Sequence, residues 1–129
     1  MFIPKEKVIS IISDAILNRN ILNVKYQHTS DFKVVTHTIA PFDIGSTNPN
    51  LKIRESNAER LYAFSFTHKD KNNNPKPSVC AFNINYFIEI TPTNEIFDET
   101  ELAKENLQRG GFNYRNYKFA LHPDRDWFK

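Results

Sequence analysis

The fold is decided by the stretch LYAFSFT at Leu61–Thr67, which is the densest run of aromatic and apolar residues in the chain. It contains no glycine or proline, and long polar segments lie on both sides of it. Such a composition favours a β-strand. We therefore predict that Leu61–Thr67 is a strand of a small antiparallel sheet, with the other strands arranged around it.

Alternating apolar and polar residues on both sides of this stretch predict the remaining strands. Ile21–Gln27 and Lys33–Ile39 are expected to form a hairpin, because apolar residues occupy every second position in each. After a polar hairpin connection at 68–77, Ser78–Ile90 resumes the sheet. Because this run is long, we expect it to bend near Asn85 and to serve two edges of a barrel.

Prolines and residue parity set the expected limits of these strands. Pro41 should end pairing nearby or mark a strand at the edge, and Pro92 should end the last strand, since proline has no N–H to donate to a ladder. Asp43–Glu59 is predicted to be a long polar loop that contains a possible short strand, LKIRE. In the last run, the residues that share one parity are expected to face the core: Cys80, Phe82, Ile84, Tyr86, Ile88 and Ile90.

Two helices are predicted outside the strands. Lys5–Arg19 has apolar residues at helical spacing, with Pro4 in the first turn and an end near Asn18 or Asn20. A short C-terminal helix is expected from Asp98 or Thr100 to about Gln108, followed by an aromatic tail at 112–129. The predicted class is α+β, with one domain at 1–129, a barrel core at about 21–92 and a C-terminal extension at 93–129.

Composition excludes several classes of protein. The chain has 129 residues and a net charge of +2, which is too small to indicate a nucleic-acid or membrane partner by itself. A single cysteine, Cys80, excludes an intramolecular disulfide, and its core parity predicts an inert thiol. The four histidines are scattered and lack zinc spacing, and no catalytic motif is found. We expect a cytoplasmic protein without a cofactor, a metal or an enzymatic activity.

The order of the segments resembles the WYL domain family. A helix that ends in AILNRN leads into ILNVKY, and HTIAP, LYAFSF and CAFNINYFIEI follow, over roughly residues 5–92. The family's namesake tripeptide corresponds to Leu61-Tyr62-Ala63, of which the tyrosine agrees. The resemblance implies an N-terminal helix packed on a small Sm/SH3-like antiparallel β-barrel. Only one helix precedes the predicted strands, so a helix-turn-helix for duplex DNA is not expected.

The resemblance also implies a ligand cluster. His37 stands where the family usually has a basic residue, and Asn83 and Tyr86 stand where it tends to have arginines. From residue chemistry alone, Tyr62 could line a cleft with its ring and hydroxyl, although a buried core tyrosine is the alternative. The predicted ligand-binding residues are His37, Arg54, Arg60, Tyr62, Asn83, Asn85 and Tyr86. Each of them could instead be an ordinary core or solvated side chain.

The predicted function is a ligand-sensing or regulatory module of the WYL type in bacterial transcription or defence. Its expected ligand is a nucleotide, a single-stranded nucleic acid or another small polar molecule, and a homo-oligomer or a partner regulator is also expected. The alternative is a protein-interaction or oligomerisation module without a small ligand. The YRNYKF segment at 114–119 interleaves rings with cations, which suits either base stacking or packing of the tail on a protein surface.

Overall fold

A computed structural model describes residues 1–45 and 59–98, which form one α-helix and a five-stranded antiparallel sheet. In chain order the elements are helix α1 (Lys5–Asn18), strands β1 (Asn20–Gln27), β2 (Val34–Gly45), β3 (Arg60–Ser65) and β4 (Ser78–Asn83), a 3₁₀ turn (Ile84–Tyr86) and strand β5 (Phe87–Ile96). The strand order across the sheet is β4-β3-β2-β1-β5. This arrangement confirms the α+β class and the N-terminal helix.

Helix α1 begins directly after Pro4, as predicted, and packs an apolar stripe on the sheet. Arg19 follows it in the left-handed conformation, with φ 56°, and its N–H donates to the carbonyls of Ala15 and Ile16. The helix therefore ends at Asn18, and an arginine rather than an asparagine occupies the left-handed position. The buried residues of the helix are Val8, Ile9, Ile12, Ala15 and Ile16.

Apolar clusters lie on both faces of the sheet. The main core combines α1 with Leu22, Val24 and Tyr26 of β1, whose alternation was predicted correctly. Its other members from the sheet and the 3₁₀ turn are Ile39, Ile44, Leu61, Ala63, Phe82, Ile84 and Phe87. A second, smaller cluster consists of Ile21, Ala40, Phe64 and Phe97. Strand β3 is thus covered on both faces, which explains why its sequence is a continuous apolar run.

Tyr26 shows that the sheet curls until β4 meets β1. The Tyr26 ring lies 5.0 Å from the ring of Phe82 and 5.1 Å from that of Phe87. Its hydroxyl oxygen accepts a hydrogen bond of 2.8 Å from the N–H of Asn83. Strands β2 and β3 separate β1 from β4 in the sheet order, so the contacts of Tyr26 with Phe82 and Asn83 require strong curvature. The described pairings join β4 to β3 and β5 to β1, and full closure into a barrel stays a prediction.

Pro41 ends the pairing of β2 on one side only. Pairing with β1 stops at Ile39, whereas pairing with β3 continues to Gly45. A β-bulge between Pro41 and Asp43 interrupts the ladder at the residue that lacks an N–H. The prediction of a loop over Asp43–Glu59 is therefore wrong at its beginning, because β2 includes the first three of those residues.

The bend expected near Asn85 is confirmed by the 3₁₀ turn. The turn also changes which residues face the core, because it breaks the two-residue alternation. Phe87 is completely buried, although the parity of the run assigned it to the outer face. Tyr86, Ile88 and Ile90 are only partly buried, although Tyr86 and Ile90 still pack against the main core.

Pro92 does not end the last strand, contrary to the prediction. Strand β5 continues to Ile96, and Pro92 lies opposite Leu22 of β1. Within the described residues β5 pairs with β1 alone, and an edge strand tolerates a proline whose missing N–H faces the unpaired side. The Thr93 hydroxyl donates a 2.6 Å hydrogen bond to the Ile21 carbonyl, which fixes this part of β5 on β1.

Several predictions lie outside the described residues. They concern the short strand LKIRE, Arg54, the C-terminal helix after Asp98 and the aromatic tail at 112–129. Within residues 1–45 and 59–98, no helix has the length and apolar character needed to cross a membrane.

Candidate ligand-binding groove

Three histidines that are distant in the sequence lie together at one end of the sheet. His28 follows β1, His37 belongs to β2 and His68 follows β3. The ring centroid of His37 is 6.0 Å from that of His28 and 6.5 Å from that of His68. The His37 and His68 rings are nearly parallel, with 15° between their planes. The three histidines are scattered in the sequence, and the tertiary structure brings them together.

Local hydrogen bonds hold the two outer histidines in place. His28 opens the β1–β2 turn, where its N–H donates to the Lys33 carbonyl at 2.9 Å and its carbonyl accepts from the Phe32 N–H at 3.1 Å. His68 opens the β3–β4 loop, and its carbonyl accepts from the Lys76 N–H at 2.8 Å. Because β1, β2 and β3 are neighbouring antiparallel strands, this turn and this loop lie at the same end of the sheet.

His37 is a buried neutral imidazole with one nitrogen bonded inside the protein. Its Nδ1 lies 2.9 Å from the Ser65 hydroxyl, and its ring meets Phe82 edge-on at 5.3 Å. No described residue forms a hydrogen bond with its buried Nε2. Burial, followed by repulsion from His28 and His68, lowers the pKa of His37 to about 4. At neutral pH, Nε2 therefore offers one directional hydrogen bond without a positive charge.

An open groove of about 910 Å3 lies between the β1–β2 turn and the β3–β4 loop. This histidine groove is lined by His28, Asp31, Lys33, Val34, Val35, Thr36, His37, Thr67, His68, Lys69, Asp70, Lys71 and Asn73. Its volume is within the range of pockets that hold small molecules and cofactors. Three lysines against two aspartates give the lining a positive balance even when the histidines are neutral.

The two aspartates of the groove stabilise its rims. The Asp31 Oδ1 accepts a 3.0 Å hydrogen bond from the Lys33 N–H in the β1–β2 turn. The Asp70 Oδ1 accepts from the N–H groups of Asn72 and Asn74 at 2.8 and 3.0 Å in the β3–β4 loop. Local bonds of this kind hold short polar loops in one conformation. The carboxylates therefore shape the rims, and the lysine ammonium groups give the groove its positive charge.

Neighbouring groups also act on His68. Burial lowers the pKa of His68, and the nearby His28 and Lys76 lower it further, while Asp70 has the opposite effect. An anion in the groove would offset this repulsion, because a nearby negative charge favours the protonated imidazole. Burial and the neighbouring cations therefore disfavour the protonated form of the His68 imidazole.

A second and smaller groove, of about 350 Å3, lies on the polar face of β5, β1 and β2. It is lined by Asn23, Val24, Lys25, Thr36, His37, Thr38, Thr67, Glu89 and Thr91. The Thr38 hydroxyl donates to the Asn23 Oδ1 at 2.9 Å, and the Thr67 hydroxyl accepts from the Thr38 N–H at 3.0 Å. Polar groups of this groove thus form hydrogen bonds with one another, which makes it the weaker candidate site.

Four of the predicted site residues lie at or beside the 3₁₀ turn rather than in the histidine groove. They are Arg60, Asn83, Asn85 and Tyr86. The Asn83 Oδ1 accepts a 2.9 Å hydrogen bond from the Asn85 N–H, and the Asn83 N–H donates to the Tyr26 hydroxyl. The Tyr86 ring packs edge-on against Phe2, with 5.2 Å between centroids. These contacts stabilise the bend between β4 and β5, and a ligand role for the four residues stays a prediction.

The other three predicted site residues, Tyr62, Arg54 and His37, lie in different places. Tyr62 is 2% exposed and lies in β3, between two residues of the main core, Leu61 and Ala63. It lines neither groove. Arg54 lies outside the described residues. Of the predicted site residues that the structure describes, His37 alone lines the histidine groove.

Most residues of the groove are absent from the predicted site, although their positions next to the predicted turns indicate that they lie together. His28 and Lys33 flank the first predicted turn, and His68, Lys69 and Lys71 open the polar connection after Leu61–Thr67. In a meander of three antiparallel strands, the first turn and the segment after the third strand lie at the same end. For the strands predicted from the sequence, that rule places these five side chains at one end of the sheet.

Geometry also limits what the histidines do. Among the described residues, no group of three or more His, Cys, Asp or Glu side chains has an arrangement that could hold a metal ion.

Comparison with solved structures gives a similarity at low sequence identity. No protein-family model matches the chain, and no curated protein matches it. Among solved structures, proteasome accessory factor B/C (PafBC) of Arthrobacter aurescens is similar over 73% of this chain, with 14% sequence identity and a TM-score of 0.47. The match covers 12% of the length of that protein. A likeness of this size establishes neither a family nor a function, and membership of the WYL family stays a prediction.

Proposed function

We propose that this chain is a ligand-binding regulatory module that recognises a small phosphate-bearing molecule of the nucleotide class in the histidine groove. One observation carries the proposal: His37, whose buried Nε2 has no hydrogen-bond partner among the described residues, lines a groove with three lysines. A buried polar atom without a partner costs free energy, which a bound ligand would recover. The WYL-type barrel predicted from the sequence is part of this proposal.

Binding would combine a diffuse attraction with one directional contact. The ammonium groups of Lys33, Lys69 and Lys71 attract a phosphate as point charges, largely independently of its orientation. His37 adds orientation, because the Ser65 hydroxyl holds its ring and thereby directs Nε2. This combination suits a phosphate monoester with further polar groups better than a simple inorganic anion.

A ligand in this groove would connect two elements that are separate in the chain. Lys33 belongs to the β1–β2 turn, whereas Lys69 and Lys71 belong to the β3–β4 loop. A phosphate that contacts both rims would restrain them relative to each other. A ligand that binds one arrangement of the two rims more tightly increases the population of that arrangement. A partner regulator could recognise the restrained rims, because they lie at an exposed edge of the sheet.

The experiment is a titration with AMP at low salt, followed by thermal unfolding and calorimetry. We expect stabilisation that grows with ligand concentration, reaching about 2.7 kcal/mol at roughly 100 times the dissociation constant. Replacing Lys33, Lys69 and Lys71 together by alanine should weaken binding about 100-fold, on the estimate of about 1 kcal/mol for each exposed charge contact. Replacing His37 by Gln keeps a polar side chain and should weaken binding less.

A matched control is Lys7→Ala on helix α1, which removes one exposed lysine that does not line the groove. This variant should bind AMP like the wild type. Absence of stabilisation by AMP at millimolar concentration, or equal binding by the triple lysine variant, would contradict the proposed function.

The alternative of a protein-interaction or oligomerisation module stays a prediction. Light scattering of the full chain with and without AMP tests it directly. A stable oligomer whose formation is unaffected by AMP, together with no AMP binding, would favour that alternative.

A further inference from the structure

Phe32 occupies an unfavourable backbone conformation in the β1–β2 turn, between two residues that line the histidine groove. Its φ is 59°, in the left-handed region that glycine and asparagine adopt most readily. The turn requires this conformation, because the Phe32 N–H donates to the His28 carbonyl and the His28 N–H donates to the Lys33 carbonyl. Glycine or asparagine would therefore suit the folded chain better than phenylalanine at this position.

The Phe32 side chain is also exposed to water to an extent that packing does not explain. It is 72% exposed, although it is one of the largest apolar side chains of the chain. Its two neighbours, Asp31 and Lys33, both line the histidine groove. A single exposed apolar residue is common at protein surfaces. Exposure combined with a left-handed backbone is different, because burial of the Phe32 ring does not compensate for the unfavourable φ.

Resting on the proposed function, we infer that Phe32 determines specificity by stacking on the base of a nucleotide whose phosphate lies among the groove lysines. An exposed aromatic ring offers a flat apolar face, and every nucleobase has a complementary π-face. Phe32 lies one residue from Lys33 and just outside the lining of the open groove, so a base that extends from a phosphate bound by the lysines would reach its exposed ring. The site would therefore distinguish a nucleotide from a sugar phosphate that has the same charge.

The test compares AMP with ribose 5-phosphate, which carries the phosphate and the sugar without the base. Calorimetric titrations use the full chain, Phe32→Asn and Phe32→Tyr. The wild type should bind AMP more tightly than ribose 5-phosphate by roughly fivefold to 100-fold, the range expected for one stacked base. Phe32→Asn should lose that preference without weakening ribose 5-phosphate, and Phe32→Tyr should retain it.

Phe32→Asn should also unfold at a higher temperature than the wild type, because asparagine tolerates the left-handed conformation. This measurement shows that weaker AMP binding does not come from a damaged fold. Leu17→Asn is a matched control, since Leu17 is 60% exposed on helix α1 and does not line the groove. It should leave both affinities unchanged.

The outcomes separate this inference from the proposed function. Equal affinity of the wild type for AMP and ribose 5-phosphate would overturn the stacking role while leaving an anion site in the groove. Unchanged AMP binding by Phe32→Asn would overturn it as well. Failure of the wild type to bind either probe would overturn the proposed function, and this inference with it.

Discussion

Acidification should destabilise the protein through His37. In the fold its pKa is about 4, against an ordinary value of 6.5 that applies to the unfolded chain. As the pH falls below 6.5, the His37 imidazole therefore binds a proton in the unfolded state but not in the folded state. Stability from this group is fully present above about pH 6.5 and is lost progressively as the pH falls toward about 4.

The size of the effect follows from these two pKa values. From about pH 7.5 to about pH 5, linkage gives a loss of at most about 2 kcal/mol. His37 is 7% exposed, yet it lines an open groove, so solvent screening reduces the expected loss to roughly 1–2 kcal/mol. This is a large part of the roughly 5–15 kcal/mol that typically separates folded from unfolded chains.

The assay is urea unfolding, followed by far-UV circular dichroism, at several pH values in that range. Stopping at about pH 5 limits the contribution of carboxyl groups, which ordinarily titrate near pH 4. His37→Gln should show a smaller loss of stability on acidification than the wild type, because an amide does not titrate. His68→Gln should reduce the loss less, since the His68 side chain is less buried.

Two results would refute this reasoning. One is an unchanged pH dependence in His37→Gln, which would show that the imidazole is not held neutral by the fold. The other is a wild-type stability that rises on acidification, which would require a partner for the charged imidazole that the described residues do not contain.

Three further outcomes follow from single contacts. Tyr26→Phe should lower the free energy of unfolding by about 1–2 kcal/mol, because it removes the acceptor of the Asn83 N–H; an unchanged urea midpoint would show that this bond contributes nothing. Burial raises the pKa of Cys80 to about 11, so iodoacetamide should alkylate it slowly in the native protein near neutral pH and rapidly in urea; equal rates would contradict the burial. Arg19→Gly should raise the thermal midpoint, with about 0.5–1 kcal/mol gained at the left-handed position, and a lower midpoint would mean that the arginine side chain outweighs this gain.

The sequence by itself determined the elements whose pattern is local. The apolar stripe of α1 and the alternation of β1 are visible in the printed residues, because burial of one face imposes a period of 3.6 or 2. The bend at Asn85 was also predictable, since the run was too long for one straight strand. The same local rules held on only one side of β2 at Pro41 and were wrong at Pro92, because a proline's effect depends on which neighbouring strand needs its missing N–H.

Only the tertiary structure decided which side chains meet. His28, His37 and His68 are brought together by the strand order, and Tyr26 reaches Asn83 because the sheet curls by an amount that no local pattern records. Alternation along a strand determines which face of the sheet a residue occupies. The curvature of the sheet and the register of several strands determine which residues that side chain contacts. The elements were therefore readable from the chain, and the groove between them became visible only once those elements were placed in space.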